Sequence, residues 1–271
     1  MRLGKYLLIV AIVLVTLSGA SAQSKRKLTM QIDTVRVQGR VGLAITINDM
    51  PNQKFVLEIP EIFMVQRIRT GLYNYSNQLW NISDEGAKMV LSDNKYTHTI
   101  DLKVKSTKKS IGLKWKIAFA NNSDSTLYDL AAFNCWTMNE APLFKDVSME
   151  RSTVKDSQGK EIFLKSVQKT QGDGRRNMQF YPAAGGINLT QSPWLNQWNV
   201  TSPQTLSGNK VSIRSTDGKW MFENCVKDDV AFFFNNWEGD HGCVHASPII
   251  ARELKPGNTA KASGSFKFTR L

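Results

Sequence analysis

The segment that most constrains the fold is 111–119, where apolar and other residues alternate without a break. Five large apolar side chains share one side of an extended chain there: Ile111, Leu113, Trp115, Ile117 and Phe119. A period of two is that of a β-strand with one buried and one wet face. A helix would scatter the same side chains around its circumference. The segment therefore predicts a strand in a sheet that has one solvent-exposed face.

Shorter runs of the same kind, separated by turn residues, recur along the chain. They predict strands within residues 28–32, 41–47, 55–59, 96–104, 230–234 and 266–268, the third ending at Pro60. Two hairpins are indicated by turns at 156–159 and 216–219, the second with an Asp-Gly pair that accepts positive φ angles. Many short strands with little helix are typical of an all-β, antiparallel β-sandwich.

The N-terminal 22 residues have the three parts of a signal peptide. Arg2 and Lys5 give a positive start, Leu7–Leu17 is an apolar run, and Ser18–Ala22 ends in a small-residue cleavage pattern. The run is too short for a stable membrane anchor. We expect cleavage near Ala22/Gln23 and, without a lipidation cysteine there, a secreted or periplasmic protein that does not span the membrane.

Residues 23–271 are then expected to form a single large β-sandwich domain, or two packed halves of one. The stretch 172–207 is rich in Gly, Asn, Ser and Pro and predicts an irregular loop region.

The chain is strongly basic, with a formal net charge of +12. The densest group of positive charges is Lys103, Lys105, Lys108, Lys109, Lys114 and Lys116. Alternate lysines mark the wet face of a strand, and they also attract an anionic glycan, cell-wall polymer or lipid headgroup. The predicted export and the lack of a recognisable nucleic-acid-binding motif argue against a nucleic acid as the partner.

Two of the three histidines and one of the three cysteines lie between His241 and His245. Imidazole and thiolate are ligands for a zinc-like metal, so the metal candidates are Asp240, His241, Cys243 and His245. On a flat strand, however, residues 241 and 245 are roughly 13 Å apart, too far for one ion, so convergence requires a turn of the kind that Asp240-His241-Gly242 can provide. Cys243 and His245 can share a site if a further ligand comes from elsewhere. No other cofactor is expected.

The cysteines, Cys135, Cys225 and Cys243, are an odd number in a chain expected to enter an oxidising compartment. We expect one disulfide and one free thiol, with all three pairings open. A structural disulfide at Cys243 is the alternative to a metal site there.

Four aromatic residues are candidates for stacking on sugar rings: Tyr181, Trp194, Trp198 and Trp237. An amphipathic ring serves a ligand face or a protein core equally well.

The C-terminal stretch runs from Phe234-Asn235 through Cys243-Val244-His245 to Pro248 and then to the turn at Pro256-Gly257. Over roughly the last 40 residues this order resembles that of uncharacterised secreted bacterial β-rich proteins. The resemblance implies an exported β-rich domain and no particular activity.

These observations favour an exported β-sandwich protein that binds an extracellular ligand, with an anionic or neutral polysaccharide as the preferred class. The alternatives are a metal-assisted secreted enzyme centred on Cys243 and His245, and a structural protein of the cell envelope. No catalytic residue is assigned, and oligomeric state is left open.

Overall fold

The computed structural model describes residues 26–37, 39–65, 68–70, 79–170, 177–189, 200–239 and 241–271, the side chains of 68–70 excepted. The described residues form two antiparallel sheets and one short 3-10 helix, Leu164–Ser166. The strands, in chain order, are β1 (Met30–Val37), β2 (Arg40–Ile47), β3 (Lys54–Val65), β4 (Ile68–Thr70), β5 (Asn81–Ser83), β6 (Gly86–Ser92), β7 (Tyr96–Ser106), β8 (Ser110–Asn121), β9 (Leu127–Thr137), β10 (Ser152–Asp156), β11 (Glu161–Phe163), β12 (Met178–Pro182), β13 (Leu206–Arg214), β14 (Trp220–Val226), β15 (Val230–Asn236), β16 (Cys243–Leu254) and β17 (Thr259–Arg270).

The strand order defines two sheets, which we call sheet 1 and sheet 2. Sheet 1 has the order β1-β2-β3-β9-β16-β15-β12, with β4 paired to β3. Sheet 2 has the order β11-β10-β13-β14-β17-β8-β7-β6-β5. The prediction of an antiparallel β-sandwich with many short strands and little helix is confirmed.

The core lies between the two sheets and is rich in aromatic rings. Trp136 of sheet 1 packs against Phe222 and Phe266 of sheet 2, with ring centroids 5.3 and 4.8 Å apart. Phe55 of sheet 1 lies 4.7 Å from Phe268 of sheet 2. The apolar side of the 111–119 strand faces this core, as the alternation predicts, and Trp115 is buried.

A second apolar cluster covers the other face of sheet 1, because β9, β15 and β16 carry large residues on both faces. Phe133 lies 5.1 Å from Phe234, and Phe180 lies 4.4 Å from Phe234, by ring centroids. Leu189 and Val200, from the chain between β12 and β13, are buried in the same cluster. Both faces of these central strands are therefore shielded from water, which is why their sequences read as nearly continuous apolar runs.

One predicted strand end is wrong. The third strand does not end at Pro60 but continues to Val65. Its pairing with β9 shifts register between Glu58 and Ile62, and Pro60 lies within this irregular stretch. Because regular pairing is interrupted there, the N–H that proline lacks would not have formed a regular hydrogen bond between the strands. The shift brings Glu58 and Glu61 of one strand to the same arginine, as described below.

Within the described ranges, no helix is long and apolar enough to cross a membrane. Residues 1–25 lie outside those ranges, so the signal peptide stays a prediction.

Candidate functional sites

Three metal-ligating side chains converge on the outer face of sheet 1. Cys135 comes from β9, and Cys243 and His245 come from the start of β16; one ligand atom of each lies within 4.8 Å of the other two. All three residues are buried, His245 completely. We call Cys135, Cys243 and His245 the thiol–imidazole cluster.

Strand register explains the convergence. Cys243 pairs with Thr137, and the same register continued two residues along places His245 opposite Cys135. On the other side of β9, Cys135 pairs with Glu58 of β3. Directly paired residues share one face of a sheet, so a carboxylate, a thiol and an imidazole lie in one row across three strands.

Two phenylalanine rings hold the imidazole of His245. Its ring centroid is 4.4 Å from that of Phe133, and 5.1 Å from that of Phe234 in an edge-to-face arrangement. The polar group that interacts with this ring is the thiol of Cys243, and no described oxygen or nitrogen atom is in hydrogen-bond geometry with either ring nitrogen. The polar surroundings of this fully buried imidazole are therefore the sulfur atoms of the cluster.

The two thiols of the cluster are not equivalent. A hydrogen bond from the Cys135 thiol lowers the pKa of Cys243, and the charge and the hydrogen bond of the adjacent His245 lower it further. The same hydrogen bond, together with burial, raises the pKa of Cys135. Cys243 is therefore the first of the pair to become a thiolate, the form that binds metals.

A carboxylate pair borders the cluster. Ligand atoms of Glu58, Glu61 and Cys135 also lie within 4.8 Å of one another. Arg40 binds both acids, its Nε lying 2.5 Å from Oε1 of Glu58 and its Nη2 lying 3.3 Å from Oε1 of Glu61. Burial and the charge of Glu58 raise the pKa of Glu61 to about 7.

The sequence-predicted metal candidates divide in three ways. Cys243 and His245 lie in the cluster, and the further candidate ligand, from another strand, is Cys135. His241 is exposed and does not belong to the cluster. Asp240 lies outside the described residues.

The cysteines depart from the expected pattern, since all three are free thiols. Cys225 lies on β14 of sheet 2, away from the other two. Cys135 and Cys243 are diagonal neighbours on adjacent strands, and Cα atoms so placed are typically about 7–8 Å apart. A disulfide requires a Cα separation below about 7 Å, so this register does not favour one.

The aromatic candidates are placed as follows. Tyr181 and Trp237 are buried in the core between the sheets, and the Tyr181 hydroxyl donates to Oδ1 of Asn235 at 2.6 Å. Their rings therefore pack against protein in this structure. Trp194 and Trp198 lie outside the described residues.

A second candidate site is the outer surface of sheet 2. Four of its strands, β6, β7, β8 and β17, carry exposed lysines that we call the lysine face: Lys88, Lys103, Lys105, Lys114, Lys116, Lys261 and Lys267. On the outward side of these four strands, which the structure describes in full, Asp101 is the one carboxylate.

The lysines of this face have few partners of opposite charge. Lys103 and Lys114 lie directly opposite each other on β7 and β8. Lys267 pairs with Glu223 at 2.9 Å, but no described carboxylate lies within 4.0 Å of the ammonium of Lys103 or Lys114. Like charges directly opposite each other destabilise a sheet, so this arrangement costs stability.

Sequence reasoning missed Cys135, Glu58, Glu61 and Arg40 as members of a site. Arg40 and Cys135 are far along the chain from Glu58 and Glu61, and no short-range spacing links these three parts of the site. The sequence feature that could have indicated this site is a polar residue at a position expected to be buried, such as Glu58 within an apolar run.

No protein-family model and no curated protein sequence matches the chain. Among solved structures, the chain is similar to a galactose mutarotase related enzyme from Lactobacillus acidophilus, with a TM-score of 0.45 and 12% identity over 89% of this chain and 97% of that one.

Two further structures are similar to a comparable degree. A protein from Synechocystis sp. has a TM-score of 0.45 and 10% identity, covering 89% of this chain and 95% of its own. A GalM/aldose epimerase homologue from C. elegans has a TM-score of 0.40 and 8% identity, covering 89% and 99%. At these scores the likeness carries no argument about activity, and the proposals below rest on this chain's own residues.

Proposed function

We propose that the protein is an extracellular binding protein for an anionic polysaccharide, which it holds on the lysine face of sheet 2. The observation that carries the proposal is the unpaired, directly opposed couple Lys103 and Lys114, at the centre of a face with one carboxylate. These positive charges lower the stability of the sheet by repelling each other. Their presence is explained if a bound polyanion neutralises them.

The shape of the face suits a polymer rather than a small ligand. Between the lysines, the outward residues of β8 and β17 are mostly small: Ser110, Gly112, Ala118, Ala120, Ser263 and Ser265. Neighbouring strands are about 4.8 Å apart and alternate residues about 6.8 Å apart, so the ammonium groups form a shallow grid. A linear polyanion can contact several of them at once, and many weak contacts then add to useful affinity.

The residue types on the lysine face also indicate the charge of the ligand. Among the outward residues of β6, β7, β8 and β17, all of them described, there is no aromatic ring. Neutral polysaccharides are held largely by stacking on such rings, whereas acidic ones are attracted by ammonium groups. An extracellular location, predicted from the first 22 residues, makes an acidic polysaccharide the appropriate polyanion.

The test compares binding of the mature protein to alginate, an acidic polysaccharide, and to dextran, a neutral one. We expect binding to alginate that weakens as salt rises, because ions screen exposed charges, and no binding to dextran. Lys103→Glu/Lys114→Glu should weaken alginate binding at least about tenfold. The matched control, Lys145→Glu/Lys160→Glu, makes the same change in net charge at exposed lysines outside the lysine face.

Three results would overturn the proposal. One is equal binding to alginate and dextran, and another is equal loss in the two double variants. The third is binding to vesicles of anionic lipid with no binding to alginate, which would reassign the face to a membrane surface.

A further inference from the structure

We propose that Cys135, Cys243 and His245 together bind one divalent metal ion of the zinc class. This site lies on sheet 1 and is independent of the lysine face. It is also different from the site predicted by sequence spacing, since Cys135 joins from another strand and His241 does not take part.

The donor set is the first argument. Two thiolates and one imidazole are the ligands that select zinc over hard cations such as magnesium or calcium. Around a tetrahedral ion with bonds of about 2.0–2.3 Å, neighbouring ligand atoms lie about 3.3–3.8 Å apart. The three donors already lie within 4.8 Å of one another, so small side-chain rotations bring them to bonding distance.

The second argument is the position of the buried imidazole. His245 is 0% exposed, and the rings of Phe133 and Phe234 fix its plane against the two thiols. The Cys243 thiol is the polar group that interacts with the ring, and no described oxygen or nitrogen atom is in hydrogen-bond geometry with either ring nitrogen. A metal ion held by the two thiolates satisfies one nitrogen of such a ring.

The third argument concerns the competing disulfide. The sulfur atoms of Cys135 and Cys243 are within hydrogen-bonding reach, but their positions are diagonal across the β9–β16 ladder. Diagonal positions suit two ligands of one ion, since the ion lies between them. They suit a disulfide poorly, because the two strands would have to approach locally.

Charge balance supports a dipositive ion. Two thiolates and a neutral imidazole give the cluster a charge of −2, which Zn²⁺ cancels. Arg40 lies against Glu58 and Glu61 and offsets one of their charges. The carboxylate pair shares Cys135 with the cluster, so the fourth position of a tetrahedral ion falls to an oxygen ligand, from this pair or from water.

The experiment uses the mature chain, reduced and freed of metal by a chelator, and titrates it with Zn²⁺ in a calorimeter. We expect one ion per chain. Cys243→Ser and His245→Ala should each weaken binding at least about a hundredfold. Cys225→Ser is the matched control, because it removes a thiol from the other sheet, and it should bind as the unaltered chain does.

A measurement on the unaltered chain guards against variants that fail to fold. Saturating Zn²⁺ should raise its thermal unfolding midpoint, because a ligand that binds only the native state stabilises it. The proposal is overturned if the reduced chain binds no Zn²⁺ saturably, or if Cys225→Ser binds as weakly as Cys243→Ser. It is also overturned if the exported protein contains a Cys135–Cys243 disulfide and no metal.

Discussion

Glu58 and Cys135 lie directly opposite each other on β3 and β9, and this pairing joins the carboxylates to the thiol–imidazole cluster. Arg40 holds the far side of Glu58, and His245 lies on the far side of Cys135. One row of a sheet therefore contains a carboxylate, a thiol and an imidazole, next to phenylalanine rings, and the guanidinium of Arg40 reaches its end. Buried polar rows of this kind are costly to a fold and are usually kept for a function.

The first prediction concerns His98, which is buried between Phe63 and Phe119. Burial lowers its pKa from 6.5 to about 3. Because the unfolded chain then binds a proton that the folded chain does not, stability is present above pH 6.5 and is lost as pH falls toward 3. Between these limits the loss is at most about 1.4 kcal/mol per pH unit.

Urea unfolding of the unaltered chain and of His98→Leu, from pH 7 to pH 4, measures this contribution. As the pH falls, the free energy of unfolding should decrease more for the unaltered chain than for His98→Leu. Parallel pH profiles would contradict the assignment.

The second prediction concerns Glu61 and has the opposite sign. Its pKa is raised from 4.5 to about 7, chiefly by burial and then by the charge of Glu58. Its contribution to stability is present below pH 4.5 and is lost as pH rises through 7. In metal-free protein, Glu61→Gln should therefore be more stable than the unaltered chain at pH 8 by about 1–3 kcal/mol, and should lose this advantage near pH 5. A variant that is less stable at pH 8 would show that the contact with Arg40 outweighs the cost of burial.

The third prediction concerns Gly264, which pairs directly with Trp115 across β17 and β8. A Cβ at this position would overlap the indole of Trp115 and the carbonyl oxygen of Cys225. Gly264→Ala should therefore lower the free energy of unfolding by about 1–3 kcal/mol, as overpacking does. Ser265→Ala, next along the strand and facing outward, should change it by less than about 0.5 kcal/mol. Equal effects in chemical denaturation would contradict the close packing of β17 on Trp115.

The fourth prediction separates stability from binding on the lysine face. Lys103→Glu places a carboxylate opposite Lys114 and replaces a repulsion by an attraction. Denaturation at low salt should show a gain of about 0.5 kcal/mol, most of which disappears in 1 M salt because exposed charges are then screened. The same variant should bind alginate more weakly. A variant that is less stable at low salt would contradict the repulsion inferred for this pair.

The strand faces were predictable from the sequence where the pattern is strict. The alternation at 111–119 places Trp115 in the core and its lysine neighbours on the wet face, because a strand has only two sides. The end predicted at Pro60 was wrong because a register shift in the β3–β9 pairing, invisible in a single strand's sequence, accommodates the proline.

The candidate metal site was predictable only in part. Spacing placed Cys243 and His245 on one face of one strand, and it argued against a third ligand at His241. It could not supply Cys135, because the register of β9 against β16 depends on contacts between distant parts of the chain. Trp237 shows the same limit: the sequence left its ring open to a ligand face or a core, and the fold directs it into the core.

The absorption spectrum of the Co²⁺-loaded protein tests the central claim, a single site built from two thiolates and one imidazole, most directly. Bound Co²⁺ reports tetrahedral geometry through intense visible bands, and thiolate ligands through charge-transfer bands in the near ultraviolet. The unaltered chain and Cys225→Ser should show both sets of bands, and Cys135→Ser and Cys243→Ser should each lose charge-transfer intensity. A spectrum without charge-transfer bands in the unaltered, fully reduced chain would contradict the site.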